Sequence, residues 1–513
     1  MIKRALISVY DKTGIVEFAR ELNKIGFEVI ATGGTTKLLK EYDIPVKHVS
    51  DVTKFPEILN GRVKTLHPQI IGGILALRNK KDHMQELKKL GIKPVDMVVS
   101  NLYPFEEVTS KTKVDLQEAL ENIDIGGPNM IRAAAKNFDS VVVIVNPDRY
   151  NEVLEELKSN GDVSRDTRSR LAIEAFKETA KYDWMIQKFL ETQKLLPEDF
   201  PEMLNLKFKK TQDLRYGENP HQKAAFYKEL EVNEPCVVNA EQLHGKNLSW
   251  TNILDLNTAL ELVKDFEEPT VAIIKHTSPC GVACGSTIFD AFEKAYASDP
   301  ISAFGGILGS NRKIDINTAR RMSSAHFDCI IAPDFDEDAL PPLKGRKSLR
   351  LLKTGDFSHG HSKHFDIVNV VGGLVMQEHN SNPIEGNFRV VTKTKPSSQE
   401  MESLDFAWDV VKYVKSNGIV LAKGKRTVGI GLGQTSRVGA AKIAIENAKI
   451  EAKNSVLASD GFLPFRDTVD EAAKAGIKAI IQPGGSIRDK EVIDAANEHG
   501  IAMVFTGIRC FRH

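Results

Sequence analysis

The first 146 residues alternate short apolar runs with segments of helical period, and this alternation restricts the fold more than any other feature of the chain. KRALISVY (3–10), FEVIAT (27–32) and SVVVIVN (140–146) read as buried strands, and VDMVVSNLYPF (95–105) as a strand running into a loop. TGIVEFARELNKI (13–25) carries its apolar residues at helical spacing, and GGTTKLLKEY (33–42) is a tight glycine turn entering a helix. Strands separated by helices predict a parallel α/β sheet with helices on both faces. Ligands bind such sheets beyond the carboxyl ends of the strands, so function is sought in the loops that follow them.

Residues 150–200 are strongly helical and polar, and Pro197 and Pro201 then punctuate the chain. The main boundary is expected near 197–205. It divides a first domain of 1–199, whose core is about 1–147, from a second of 200–513. The second half holds new α/β segments: TVAIIKHTSPCGVACG, CIIAPDF, VVKYVKSNGIVLAKG, SVLASDGFLPF and AIIQPGGSIRD. The stretch 335–365, rich in Asp, Lys, Pro, Gly and His, reads as an exposed connection that splits this half in two. Lys+Arg and Asp+Glu each total 69, so the basic excess expected of a bulk nucleic-acid or anionic-membrane binder is missing. A local basic cleft for a small anion remains compatible with that balance. No apolar stretch reaches membrane-spanning length, and no cleavage-site pattern follows the N-terminus. Five scattered cysteines predict free thiols in a reducing, cytoplasmic setting.

Thr32-Gly33-Gly34-Thr35-Thr36 lies between a predicted strand and a predicted helix. Glycines there let backbone N–H groups and the helix N-terminus face an anion, and threonines add hydroxyl donors. A plain strand-to-helix turn is the alternative. GRVKTLHP (61–68) places Arg62, Lys64 and Thr65 in one segment with no acidic neighbour inside it. Asp124-Ile125-Gly126-Gly127-Pro128 precedes Arg132 and Lys136, whose i, i+4 spacing sets both cations on one helix face. That face is either a ligand site or a solvated one. Tyr103 is either a packing aromatic or a site residue.

In the second half, LRYGENPHQ (214–222) concentrates polar donors around Arg215 and Tyr216. Lys275-His276 follows the apolar run TVAII and suits acid–base work, since a cation beside an imidazole favours its neutral, basic form. Ser416-Asn417-Gly418 reads as the end of an apolar strand, where an asparagine amide can donate to an oxyanion. DPISAFGG (299–306) presents Phe304, and SDGFLPFRD (459–467) combines Phe462 and Phe465 with Arg466 and Asp467. A zinc deaminase needs P-C-x-x-C and a glutamate shuttle; here the cysteines of Pro279-Cys280-x-x-x-Cys284 stand one residue too far apart, and Ser278 replaces the glutamate. No metal is therefore expected. GIGLGQ (429–434) lacks the third glycine of a dinucleotide fingerprint, and no P-loop occurs.

Taken in order, SVYDKTG, GRVKTLHP, DIGGPNMIRAAAKN, DLRYGENPHQ, KHTSPCG, SDGFLPFRD and the terminal RCFRH resemble the bifunctional purine biosynthesis family over essentially the whole chain. That family joins an IMP cyclohydrolase domain to an AICAR transformylase domain. The resemblance implies a methylglyoxal-synthase-like doubly wound domain fused to two cytidine-deaminase-like α/β subdomains without their metal. It implies formyl transfer from 10-formyltetrahydrofolate to AICAR, then dehydrative closure of formyl-AICAR to IMP. A transformylase whose N-terminal domain only senses a phosphorylated ligand is the alternative.

By the family's pattern His276 is the base for transfer, Lys275 tunes it, and Asn417 holds the formyl oxygen. Arg215 and Tyr216 bind nucleotide, Phe304, Asp328, Phe462 and Asp467 line the pockets, and Arg509 lies near the phosphate. Lys64, Tyr103, Asp124 and Lys136 match the cyclohydrolase positions, while Ser8, Lys12, Thr32, Gly33, Gly34, Thr35, Arg62 and Thr65 hold phosphate and ribose. Cys510 departs from the family's tail. A homodimer in the cytoplasm is implied as well.

Overall fold

The computed structural model describes residues 3–513 except 104, 106–108, 110–114, 193–199, 201, 231, 233, 357–363 and 381–387. The chain forms two compact units, Met1–Leu204 and Asn205–His513. The residues read as the interdomain punctuation, Pro197 and Pro201, lie outside the described ones.

In the first unit, β1 (Arg4–Ser8), β2 (Glu28–Ala31), β3 (Lys47–His48), β4 (Met97–Ser100) and β5 (Val142–Ile144) form one sheet in the order β3-β2-β1-β4-β5. Every pairing is parallel. The helix Ile15–Lys24 buries Ile15, Phe18, Ala19 and Leu22, the i, i+3, i+4, i+7 stripe seen in the sequence, against that sheet's core. Gly161, at φ 72°, ends the helix Tyr150–Asn160 in the left-handed conformation that glycine adopts without a Cβ penalty. From β1 the chain winds outward through β2 to β3, and then returns to start the other half at β4. The switch therefore lies between the carboxyl ends of β1 and β4, where a crevice opens in such sheets.

The second unit begins with a hairpin, β6 (Phe208–Leu214) and β7 (Ala224–Glu229). A six-stranded sheet follows, built from β8 (Glu241–His244), β9 (Thr270–Lys275), β10 (Ser278–Cys284), β11 (Gly306–Ser310), β12 (Phe327–Ala332) and β13 (Arg350–Lys353). Its order is β10-β9-β11-β12-β13-β8. After a second hairpin, β14 (Phe365–Val370) and β15 (Gly373–Glu378), comes another sheet. This one holds β16 (Arg389–Val390), β17 (Ile419–Ala422), β18 (Thr427–Gly431), β19 (Val456–Ser459), β20 (Ala479–Gln482) and β21 (Ala502–Phe505), in the order β16-β21-β20-β19-β17-β18. In each sheet an antiparallel hairpin leads into three parallel strands and a short antiparallel edge strand. The topology thus repeats although no short sequence repeat announces it. The helices Trp250–Lys264 and Ser398–Val411 share one core with residues from both sheets.

Two local expectations change. Much of 335–365 is not an exposed connection: it carries the helix Leu340–Lys344 and strand β13, and Ala339, Leu343, Leu349 and Leu351 are buried. Its prolines, Pro341 and Pro342, sit in a first helical turn, where their missing N–H leaves nothing unpaired. Ser416-Asn417-Gly418 does not end a strand. Val410 and Val411 finish the helix Ser398–Val411, which a Ser397–Glu400 capping box starts, and β17 follows the glycine.

Candidate active sites

A cavity of about 930 Å³ opens at the switch point of the first unit. Ser8, Lys12, Thr32, Gly34, Thr35, Arg62, Lys64, Thr65, Tyr103 and Asp124 all line it. Five separate segments thus converge on one space. The N-terminus of the helix Gly33–Glu41 faces it with no acidic residue in the first turn, and Thr32 makes no side-chain cap. Thr32 Oγ1 instead shares a 2.9 Å hydrogen bond with Ser8 Oγ. The first helical N–H groups are left for an anion. A Cβ on Gly33 or Gly34 would meet nothing within 4 Å, so the glycines keep space open rather than relieve a clash.

Lys12 Nζ donates to Val9 O and, at 3.1 Å, to Thr35 Oγ1. Burial lowers its pKa; Asp11 opposes that shift and Lys64 adds to it. Asp124 accepts the Gly127 N–H at Oδ1, 2.8 Å away, so it caps the helix Gly126–Lys136 from inside the cavity. Burial raises its pKa above the ordinary aspartate range, against the Gly127 N–H, the Lys64 charge and the Gly126 N–H. A Cβ on Gly127 would lie 2.5 Å from Asp124 Oδ2, so only glycine lets the carboxylate pack there.

Lys136 is not at this cavity. It stands ten residues along the helix from Gly126, roughly 15 Å at 1.5 Å per residue. Arg132 and Lys136 share a face, as their i, i+4 spacing requires, and line a second, largely apolar cavity with Phe138, Ile173 and Phe176. Arg62 finds an acidic partner that its own segment lacks, Glu121. Three further groups went unnoticed in the sequence. Asn101 Oδ1 accepts the Tyr10 and Asp11 N–H groups across β1 and β4. Tyr10 packs its ring 5.3 Å from that of Tyr103. Tyr182, from the long polar helix Arg165–Thr192, accepts the Asp124 N–H at 2.7 Å and donates to Asn122 O at 3.3 Å. Burial pushes its pKa up to about 12, so it acts as a neutral hydroxyl.

In the second unit Lys275 and Ser278 pair across a two-residue turn made by His276 (φ 54°) and Thr277 (φ 59°). His276 is exposed. Lys275 Nζ donates to Phe304 O at 2.8 Å, and the Phe304 ring stacks on His326 at 4.6 Å between centroids. His326 Nε2 lies 4.0 Å from Asp328 Oδ1. Lys275, His276, Phe304 and Asp328 are therefore neighbours, with His326 as an unforeseen member. Asn417 donates its Nδ2 to Gln434 O at 2.8 Å, which leaves the second amide N–H. Beside it Ser416 exchanges hydrogen bonds with Arg512 of the tail and donates to Asp460, the partner of Arg437. Arg509 lies over the Phe511 ring at 4.7 Å.

Phe462 is exposed, and Asp467 opens the helix Asp467–Ala475. Arg215 lies over Tyr216 in the loop between β6 and β7. Among the described residues no hydrogen bond or ring contact joins that pair to the His276 turn.

Burial pushes the Cys280 and Cys284 pKa values up to about 12 and about 11, so both stay thiols, and Thr270 Oγ1 bonds Cys284. Among the described residues Glu261, His364 and His379 bring ligand atoms within 4.8 Å of one another. Glu261 already pairs with Lys264 and His379 with Asp366, so both have partners without an ion.

Residues 14–129 match the family model described as "MGS-like domain", and residues 134–447 match "AICARFT/IMPCHase bienzyme". A relative from Acetivibrio thermocellus, described as "Bifunctional purine biosynthesis protein PurH", is 56% identical with all of both chains covered. Relatives of the same description from Ruminiclostridium cellulolyticum and Caldicellulosiruptor saccharolyticus are each 53% identical, again over the full length of both chains.

Proposed function

Because this chain belongs to the AICARFT/IMPCHase bienzyme family and is a bifunctional purine biosynthesis enzyme, we propose that its two units divide two consecutive reactions, with transfer in Asn205–His513 and ring closure in Met1–Leu204. The transformylase half takes its formyl group from 10-formyltetrahydrofolate. The 5-amino group of AICAR attacks the formyl carbon, His276 takes the amine proton, and the bond from the formyl carbon to the tetrahydrofolate nitrogen breaks as that nitrogen gains a proton and leaves as the neutral amine. The free N–H of Asn417 holds the formyl oxygen as it gains charge, and Lys275 steadies the same charge. Phe304 and Phe462 flank the planar rings, Asp328 and Asp467 take their polar edges, and Arg215, Tyr216 and Arg509 serve the ribose phosphate.

In the first unit the carboxamide nitrogen of formyl-AICAR attacks the formyl carbon, and water leaves. The step needs proton transfers and support for an oxyanion but no outside nucleophile. Lys64, Tyr103 and Asp124 supply those groups, while Ser8, Lys12, Thr32, Gly33, Gly34, Thr35, Arg62 and Thr65 bind phosphate and ribose. Lys136, the fourth position of the family's pattern, lines the second cavity with Arg132 and joins the set from there. The observation that carries this reading is the gathering of phosphate donors and proton-transfer groups around one cavity at the switch point. A domain that only sensed an anion would have no use for Tyr103 in the same cavity as Lys64 and Asp124. Purified chain supplied with AICAR and 10-formyltetrahydrofolate is expected to form IMP without added metal or nucleoside triphosphate; no IMP under those conditions overturns the assignment.

A homodimer is part of the same reading. The hairpin of β14 and β15 stands apart from both large sheets and exposes Val368, Val370, Val371 and Val375, an apolar surface suited to a second copy. Sedimentation at twice the chain mass is expected; a monomer removes this element. Among the described residues no helix is long and apolar enough to cross a membrane, and the reading places the enzyme in the cytoplasm.

A further inference from the structure

We propose that Asp255 is a positioning residue for formyl transfer: it holds the His276–Thr277 turn in its left-handed conformation and so sets where the His276 imidazole stands. The inference rests on the assignment of His276 as the base.

Two-residue hairpin turns with positive φ at both positions favour Asn-Gly or Gly-Gly, because residues with a Cβ resist that conformation. This turn uses His276 at φ 54° and the β-branched Thr277 at φ 59°. Each such residue is strained and persists only where its surroundings over-determine it. Besides the Lys275–Ser278 pairing and the Thr277 Oγ1 bond to His276 O, the turn is held by one carboxylate from outside the hairpin. Asp255 Oδ2 accepts the His276 N–H at 3.2 Å, and Oδ1 accepts the Thr277 N–H at 2.5 Å. Asp255 lies inside the helix Trp250–Lys264 and is only 8% exposed, so its position is set by that helix rather than by solvent.

The same helix holds the opposite side of the site. Thr258, one turn along from Asp255 on the same face, accepts Arg512 Nη2 at 3.1 Å. Arg512 in turn accepts the Ser416 N–H at its carbonyl and donates its own N–H to Ser416 Oγ, in the residue before Asn417. His276 and Asn417 are thus both referred to one rigid element, through Asp255 and Thr258. Among the described residues Asp255 hydrogen-bonds only backbone, so its loss should shift the base without removing a substrate contact.

The test uses the full chain with Asp255→Ala and Asp255→Asn, each alone and combined with His276→Ala. Displacing a reacting group by about 1 Å costs about 100-fold in rate, so kcat for formyl transfer is expected to fall by about that factor in Asp255→Ala. The KM for AICAR should hold, and so should cyclisation of supplied formyl-AICAR. Asp255→Asn sets a donor against one of the two N–H groups and should fall in the same direction; keeping the side-chain volume, it is the variant to read if Asp255→Ala also lowers cyclisation. The double variant should be no slower than His276→Ala. Wild-type kcat in both Asp255 variants, a rise in KM alone, or a further drop on top of His276→Ala overturns the positioning role. Undiminished transfer by His276→Ala would instead overturn the assignment beneath it.

Discussion

His276→Ala is expected to lower formyl transfer to AICAR by about 10²–10⁴-fold, the usual contribution of a positioned general base, while cyclisation of supplied formyl-AICAR stays within about twofold of wild type. The AICAR amine is conjugated with its imidazole ring and is a weak nucleophile, so it needs a base as it attacks. His276 is exposed on a turn whose backbone is tied to Asp255, which gives the imidazole access to substrate from a fixed origin. The substitution removes no buried packing, so the fold should survive. Steady-state assays of the two half-reactions on one preparation check the prediction. Equal loss of both activities would argue against separate sites.

Asp124→Asn should give the mirror image: cyclisation reduced by about 10²-fold or more, with formyl transfer retained. A stability change should accompany it. Burial raises the Asp124 pKa, so the folded unit binds this proton more tightly than the unfolded chain does. The group's contribution to stability is therefore fully present below the unfolded pKa and is lost as pH rises through the higher folded one. At neutral pH the ionised carboxylate is a liability that asparagine removes while keeping an oxygen for the Gly127 N–H. Thermal unfolding at pH 7 is expected to show Asp124→Asn at or slightly above wild type, the pattern of a residue kept for chemistry rather than for folding. A large fall in Tm with lost cyclisation would instead mark Asp124 as chiefly a structural cap.

The parallel sheet of the first unit was legible because its strands are buried on both faces and read as unbroken apolar runs, as in Ala5-Leu6-Ile7 and Met97-Val98-Val99. The turn at Thr32–Thr36 was legible because strand, glycines and helix follow one another directly. What escaped detection depends on partners far away in the chain. Tyr182 reaches Asp124 across 58 residues, and nothing in its polar helix distinguishes it from a surface tyrosine. Asp255 looks like one more polar residue in a helix until the hairpin bearing His276 folds onto it. Lys136 shows the converse: its i, i+4 pairing with Arg132 was read correctly, but a spacing rule says which residues share a face and not what that face meets. The apolar run around Val410-Val411 reads as a strand that Ser416-Asn417-Gly418 ends, because a short apolar run does not separate the end of a helix from a strand.

Two sites that exchange a free intermediate can be separated by substitution and reunited by mixing. Neither His276→Ala alone nor Asp124→Asn alone should make IMP from AICAR and 10-formyltetrahydrofolate at an appreciable rate. An equimolar mixture of the two should restore IMP formation, with formyl-AICAR released by the cyclisation-deficient chain and consumed by the transfer-deficient one. If the mixture stays inactive while each variant retains its own half-reaction, the account of two independent sites joined by a diffusing intermediate is wrong.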